Sequence, residues 1–330
     1  MAKNKKNKMD PQSANSGDRM KHALNLELLT RMRSWPSVSY SETHSGAGIY
    51  EAELQDPRKQ HIRNLRDLVT WERLNRLGNN SSLQSTAGEE FFKRLTEWWG
   101  NQENPFEKYP GSARQALDFL LSIGKKFKFR LTENDENAVR RLKSAMKPGK
   151  EHVEVKQASF RDEMVWLSEP DFLLLVVDPF KLFDSFDIND KQPQSDKESA
   201  DDLPQNDIEP SENLSRKEIG FAYGHIDLAT VKKFTETIEQ KGSAVIHFWW
   251  PTSYQGLDTA LKDAVGRGIK QSHEFFESWA GNDSNRQYHA FNDGHNHRSS
   301  LIGIGGGALI VKEVSELDWK SSWLSRYVKP

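Results

Sequence analysis

Hydrophobic positions in this chain first recur with a helical period. Met20, Leu24, Leu26, Leu28 and Leu29 follow Gly17-Asp18. With Asp18 as N-cap, that spacing predicts a helix over Arg19–Arg33. The period falls to that of a strand at Val38–Thr43 and breaks in the turn Ser45-Gly46-Ala47-Gly48. Phe127–Thr132 alternates and ends in Glu133-Asn134-Asp135. Val153 and Val155 open a short strand that ends near Gln157-Ala158-Ser159. Phe172–Val177 is the most apolar run and reads as a central parallel strand buried on both faces. It ends at Asp178-Pro179-Phe180, and a further strand, Ser243–Trp250, is stopped by Pro251.

Helices are expected over Glu51–Arg76, Glu89–Trp99, Ala113–Ile123 (with Ser112 as its N-cap), Glu136–Met146, Ile226–Gln240 and Leu257–Val265. Ile269–Glu277 and Leu301–Val311 read as a closing, hairpin-like pair of strands around a polar loop. No strand is expected between Glu51 and Lys108, so 51–108 reads as a helical insertion. Strands alternating with helices, then a closing pair, predict an α/β fold. Its sheet should be mainly parallel with one antiparallel strand.

Composition narrows the picture. The 330 residues are 35% hydrophobic and 28% charged, with polar segments diluting a real core. Residues 1–17 are Lys-, Asn- and Ser-rich and read as a disordered basic tail, either solubilising or in contact with nucleic-acid phosphates. Residues 184–217 are rich in Asp, Ser, Pro and Gln, have no apolar face, and read as a disordered acidic insertion. The net charge of −2 gives no global basic field. Cysteine is absent, which excludes disulfides, thiolate metal sites and a cysteine nucleophile, and fits a reducing, cytoplasmic home. No apolar run approaches the roughly 20 residues that span a bilayer, so no membrane partner is expected.

Candidate chemistry gathers at strand ends. A doubly wound sheet binds its ligand in the crevice outside the carboxyl ends of its strands. The first end offers His44, Ser45, Gly46 and Gly48, the second Glu133, and the fourth Asp178 and Pro179. Gly46 and Gly48 allow a tight turn and a close backbone approach. The third glycine of the dinucleotide fingerprint is missing, which suits a ligand of nucleoside plus amino acid better than a pyrophosphate. Lys21 and His22 sit near a helix start, where a cation opposes the dipole, so a functional role is expected of Lys21. Gly303-Ile304-Gly305-Gly306-Gly307-Ala308 matches a loose G-x-G-x-x-A, but the Leu-Ile-Val after it reads as strand, which argues against phosphate binding. His289, His295 and His297 share a loop without an acidic or thiol partner at helical spacing, so no metal site is read there.

On these residues the chain resembles the RlmJ-type adenine-N6 methyltransferases of large-subunit ribosomal RNA. Gly17-Asp18 and Lys21-His22 resemble the family's G-N/D…K-H segment, and Glu42-Thr43-His44-Ser45-Gly46-Ala47-Gly48-Ile49-Tyr50 its D-T-H-A-G-A-G-x-Y. Tyr109-Pro110-Gly111-Ser112 matches its Y-P-G-S, and Thr132-Glu133 resembles its T-E. Val177-Asp178-Pro179-Phe180 falls at its I-D-P-P-Y, and His247-Phe248-Trp249-Trp250-Pro251 resembles its aromatic strand ending in W-Y-P. The likeness spans nearly the whole chain apart from the two tails and the acidic insertion. It departs at Phe180 and Lys181, at Ala158-Ser159, and at Glu42 for Asp.

The resemblance implies a Rossmann-like class I methyltransferase fold with S-adenosylmethionine as cofactor. Lys21, His22, His44, Ser45, Gly46, Gly48, Ser112, Glu133, Ser159 and Asp178 would hold it. Asp178, Pro179 and Phe180 would hold the target amine. The implied partner is RNA, ribosomal above all, with DNA as an alternative, and a monomer is expected. The altered turn at Asp178–Lys181 keeps a second expectation open, a non-catalytic relative that binds RNA or cofactor.

One expectation needs only composition. Deleting residues 184–217 and joining the ends with a short linker should leave the melting temperature nearly unchanged. A drop of several degrees in a calorimetric scan would show that the segment packs on the domain.

Overall fold

The computed structural model describes residues 16–51, 88–101, 108–158, 172–178, 182–183, 226–240, 242–251, 259–281, 283–292, 297–317 and 319. Seven strands form the main sheet: β1 (Ser37–Glu42), β4 (Lys126–Glu133), β5 (Val153–Gln157), β6 (Leu173–Val177), β9 (Ala244–Pro251), β10 (Arg286–Asn292) and β11 (His297–Ile304). Their order is β10-β11-β9-β6-β1-β4-β5. β1 pairs parallel with β4 and β6, β4 with β5, and β6 with β9. β11 alone runs antiparallel, between β9 and β10. This is the strand order of the Rossmann-like class I methyltransferase fold. β2 (Ile49–Glu51) and β3 (Lys108–Pro110) form a small antiparallel pair. β7 (Leu182–Phe183) and β8 (Ile226–Asp227) form a short parallel one.

Side chains on successive strand residues take opposite faces, and β6 is buried on both. Leu174 and Val176 join the larger core with Tyr40, Phe129, Val245 and Leu301. Leu173, Leu175 and Val177 join the other core with Ile246, Phe248 and Ile302. The larger core is closed by α1 (Ser16–Met32), α2 (Glu89–Gly100), α3 (Ser112–Ser122), α4 (Glu136–Ala145) and α7 (Gly306–Ser315). α5 (Leu228–Glu239) and α6 (Thr259–Gly281) close the other. In α2, Phe91, Leu95, Trp98 and Trp99 are buried in the larger core, and Trp99 donates to the Lys108 carbonyl at 2.8 Å. Both tryptophans are therefore packing residues. No helix among the described residues is long and apolar enough to cross a membrane.

Several boundaries differ from those the pattern predicts. Ile269–Glu277 is helical, the second half of α6, because Ile269 and Phe276 share one helix face against the sheet. The hairpin is instead Arg286–Asn292 with His297–Ile304, and Leu301–Val311 divides into the end of β11 and most of α7. Hence a helix does follow Gly303-Ile304-Gly305. Phosphate binding is nevertheless excluded there by packing. A Cβ on Gly307 would lie 1.9 Å from the Ala244 carbonyl oxygen, and one on Gly306 2.4 Å from the Trp35 ring. Gly306 N–H is already taken by Ser243 Oγ at 3.0 Å. Strand structure also borders 51–108, as β2 and β3, where short pairing overrides weak local propensity. The first helix starts at Ser16, which puts Asp18 in its first turn rather than at its N-cap. Ile226–Asp227 is strand, not helix. The expected helix over Glu51–Arg76, the acidic insertion and the basic tail fall largely or wholly outside the described residues.

The glycines of α7 give a direct test. Gly307→Ala should cost about 3 kcal/mol or more, the upper end for overpacking, because a backbone carbonyl cannot rotate away. Gly100→Ala, whose Cβ would meet nothing within 4 Å, should change stability by less than about 0.5 kcal/mol. Urea unfolding of the two variants measures both.

Candidate active site

The carboxyl ends of β1, β4 and β6 bring the candidate groups together. β1 ends between its two neighbours. Thr43 N–H donates to the Val176 carbonyl of β6 at 3.1 Å, and Ser45 N–H to the Thr132 carbonyl of β4 at 3.0 Å. The turn then places Gly46 N–H 2.8 Å from Glu133 Oε2. Glu133 Oε1 accepts from the N–H groups of Asn134 and Asp135, at 2.9 and 3.0 Å. Asp135 in turn caps α4, accepting from Ala138 N–H at 2.6 Å. Glu133 is thus fixed by three backbone donors. A carboxylate has about four acceptor positions, so Oε2 keeps one for a ligand.

Both turn glycines adopt the left-handed conformation, Gly46 at φ 59° and Gly48 at φ 73°. A Cβ on Gly48 would lie 2.9 Å from both Ala145 Cβ and Leu142 Cδ1, and its carbonyl accepts from Gly111 N–H at 2.8 Å. Gly48 therefore seats the turn on α4. Ser45 is buried, its hydroxyl 3.3 Å from the Glu42 carbonyl. His44 is half-buried and pairs through Nδ1 with Thr43 Oγ1 at 2.8 Å.

Asp178 follows the end of β6, the neighbour of β1 in the sheet. Lys21, 157 positions earlier, reaches from α1 to Asp178 Oδ2 in a short ion pair and lies 3.5 Å from Asp18 Oδ1. Burial works against the Lys21 ammonium. Asp178 and Asp18 more than offset it, and its pKa stands above the usual lysine value. Here is the reason for a cation at this helix start that helix physics alone does not supply.

Glu42, the last residue of β1, is 3% exposed. Its Oε1 accepts from the Tyr40 hydroxyl in a short hydrogen bond. Its Oε2 has no hydrogen-bond partner among the described residues. Burial raises its pKa to about 7, against the opposing pull of Tyr40, Ser112 and Lys21, while Asp178 pushes it up further. In the sequence Glu42 stands out only as a Glu where the resembled family has Asp. The available signal is the i, i+2 spacing from Tyr40, which puts both on one strand face. Ser112 does not cap α3: Gly111 is the N-cap and Ser112 is the first helical residue. Against burial, which raises them, Ser112 instead lowers the pKa values of Tyr40 and Glu42.

Two buried histidines lie nearby. His22 is buried, stacked on Tyr109, with Nδ1 2.7 Å from Tyr109 Oη and 3.0 Å from Gln115 Nε2. Gln115 Nε2 can only donate, so Nδ1 accepts and the ring is neutral. Burial, then Lys21 and His247, hold its pKa well below the ordinary value. His247 is fully buried, 2.6 Å from both Asn25 Oδ1 and Ser299 Oγ, and burial followed by Lys21 lowers its pKa to about 3. No residue spacing announces that trio, because it joins α1, β9 and β11. Ser159, Pro179 and Phe180 lie outside the described residues. No cluster of His, Asp and Glu with metal-holding geometry occurs among the described residues.

No protein-family model matches the sequence, and no curated protein matches it. Among solved structures, the chain is similar to a protein of the DUF519 family model from Legionella pneumophila str. Philadelphia 1. The TM-score is 0.53 at 16% identity, over 96% of this chain and 91% of that one. That likeness is one of fold. An O-methyltransferase from Bacillus cereus, in complex with SAH, overlaps with a TM-score of 0.38 at 9% identity, over 86% and 80% of the two chains. An rRNA methylase from Streptococcus thermophilus gives 0.34 at 8%, over 87% and 95%. At these two scores the overlap is too loose to place a residue.

Glu42 has a measurable consequence for stability. Its pKa is raised from 4.5 to about 7 in the folded protein. The folded state therefore holds the proton more tightly, and this contribution is complete below pH 4.5 and lost as the pH rises through 7. At about 1.4 kcal/mol per unit, the loss approaches about 3 kcal/mol. His22 and His247, with lowered values, act in the opposite sense at lower pH. The wild-type minus Glu42→Gln difference in unfolding free energy isolates the carboxyl. It should fall between pH 5 and 8, and a flat difference in urea titrations would overturn the assignment.

Proposed function

We propose that this protein transfers a methyl group from S-adenosylmethionine to an amine of nucleic acid, adenine N6 of RNA, ribosomal RNA above all, being the best fit. The observation that carries the reading is the ion pair that brings Lys21 to Asp178, beside the turn fixed on Glu133. Three strand ends distant in sequence stand side by side in the sheet, and the carboxyl end of such a sheet is where doubly wound folds bind their ligands.

The residues present fit the cofactor. Glu133 has one acceptor position left for a ribose hydroxyl, and Gly46 keeps side-chain bulk away from the turn. A Cβ there would lie 2.2 Å from the Tyr50 hydroxyl. When bound, the cofactor supplies an electrophilic sulfonium methyl. Asp178 accepts a hydrogen bond from the target amine as its nitrogen becomes tetrahedral. Lys21 fixes one oxygen of that carboxylate and leaves the other to the amine. Phe180 stacks on the extruded base. In-line displacement at a sulfonium needs positioning and hydrogen-bond acceptance more than a strong base. His22, neutral and stacked on Tyr109, holds α1 in place so that Lys21 reaches the crevice.

Calorimetric titration with S-adenosylmethionine, followed by methyl transfer to total RNA from a strain lacking the gene, tests this reading. Glu133→Ala should weaken cofactor binding by about 1–3 kcal/mol. Asp178→Asn should lower turnover by two or three powers of ten, the scale for losing one transition-state hydrogen bond, and also weaken cofactor binding, because Lys21 loses its charged partner. Cofactor binding without methyl transfer to any RNA would favour the non-catalytic relative that the Phe180-Lys181 departure allows. Absence of cofactor binding would overturn the methyltransferase reading.

A further inference from the structure

We propose that a row of cations on β4, Lys126, Lys128 and Arg130, binds the phosphate backbone of single-stranded RNA in a cleft on the sheet face. The inference rests on the nucleic-acid reading above and names a surface outside the crevice that would hold the substrate.

Three observations lead to it. The first is composition against position. β4 lies between β1 and β5 in the sheet, where a parallel strand is ordinarily apolar on both faces. One face of β4 follows that rule, with Phe127, Phe129 and Leu131 buried in the larger core. Successive side chains take opposite faces, so Lys126, Lys128 and Arg130 share the other. Farther across that same face, at Leu173, Leu175 and Ile246, the sheet is apolar and buried. The second is that the cations are free. Lys126 and Lys128 are exposed and Arg130 is half-buried. None of the three side chains has a hydrogen bond or ion pair among the described residues. Arg130 stands opposite Glu154 in register, but Glu154 lies 3.9 Å from Lys156 Nζ instead. The third is shape. A cleft of about 510 Å³ lies over the row, with Ser37 and Ser39 of β1 beside Lys126 and Lys128 in register.

The arrangement selects its occupant. A rise of about 3.3 Å per residue sets neighbouring cations of the row roughly 6.6 Å apart. Such a row follows a chain of phosphates rather than closing on one small anion. The serine hydroxyls can donate to phosphate oxygens, contacts that position a nucleic acid without reading its sequence. Phe127 and Phe129 turn into the larger core, so they offer no stacking platform on this face, and binding should be indifferent to base identity. Glu151 and Glu154 line the cleft on the β5 side, where they repel a polyanion and keep it over β1 and β4. The row ends at Arg130, three residues and about 10 Å before Glu133. An RNA with one base in the crevice would thus lay neighbouring phosphates along β4.

Fluorescence anisotropy of the full chain with a labelled single-stranded RNA of mixed sequence, titrated at several salt concentrations, tests the assignment. Each phosphate neutralised on a single strand contributes about 0.7 to the slope of log affinity against log salt. The variant with Lys126→Gln, Lys128→Gln and Arg130→Gln should therefore bind about tenfold or more weakly near 0.1 M salt, with a slope shallower by about 2. Its affinity for S-adenosylhomocysteine should stay within about twofold of wild type. If the triple variant does not fold, the exposed pair Lys126→Gln and Lys128→Gln decides, with a slope shallower by about 1.4. The reference variant, Lys270→Gln with Lys312→Gln on α6 and α7, should keep the wild-type slope. Glu154→Gln should tighten RNA binding. An unchanged slope and affinity in the β4 variants overturns the assignment while the methyltransferase reading stands. So does an equal loss in the reference variant. Deleting 184–217 supplies the remaining arm. RNA binding that tightens on deletion in wild type but not in the β4 variant would make the acidic segment the occupant and overturn the RNA assignment. Wild type that binds S-adenosylhomocysteine but no RNA overturns both this assignment and the RNA substrate.

Discussion

The ammonium of Lys21, buried between Asp178 and Asp18, is the contact on which the crevice depends. It ties the first helix to the end of the central strand across 157 positions of sequence. A lone buried ammonium would give up its proton, whereas two carboxylates hold the charge in place. α1 is thereby locked in register against β6. The buried polar groups of α1 then follow from its position. His22 meets Tyr109 and Gln115, Asn25 meets His247, and Glu27 accepts from Gly88 N–H at 3.0 Å, ahead of α2. One helix thus organises α2, α3 and β9 through paired polar groups. Each pairing fixes an angle that apolar packing alone would leave looser.

The crevice owes its rigidity to backbone more than to side chains. Glu133 is held by three N–H donors, one from the glycine turn and two from the residues that lead into α4. Gly48 packs its backbone on α4, and Gly111 N–H closes the turn onto the start of α3. Positive φ at Gly46 and Gly48 is what permits this path. A ligand entering here meets groups already oriented, which lowers the cost of binding and of reaching the reactive geometry. Glu42 is buried beside the turn, its second oxygen without a hydrogen-bond partner among the described residues.

At the opposite edge of the sheet the same economy of space explains the glycine run. Gly303, Gly306 and Gly307 let α7 lie against β9 and β11 at backbone distance, with Trp35 over the helix start. A motif that reads like a phosphate loop is here a packing device. Its position confirms this: β11 is antiparallel, so its carboxyl end lies away from the crevice formed by the parallel strands.

Strand periodicity alone determined much of the architecture. β1, β4, β5, β6 and β9 were legible because alternation, or an unbroken apolar run, reports burial directly. The glycine turn, Glu133 and Asp178 were legible as strand-end residues, since topology places such ends side by side. Tertiary structure decided the rest. Ile269–Glu277 carries strand-like residues, but a helix face against the sheet buries Ile269 and Phe276 together, and packing overrides propensity. α7 is hidden in sequence behind apolar residues that suit strand or helix equally. Lys21 was out of place by helix electrostatics, but only the fold supplied Asp178 as its partner. Glu42, Ser112 and the His247 trio gained their roles from neighbours tens to hundreds of residues away. Burial and unmet hydrogen bonds are properties of the assembled neighbourhood, and no local pattern in the chain encodes them.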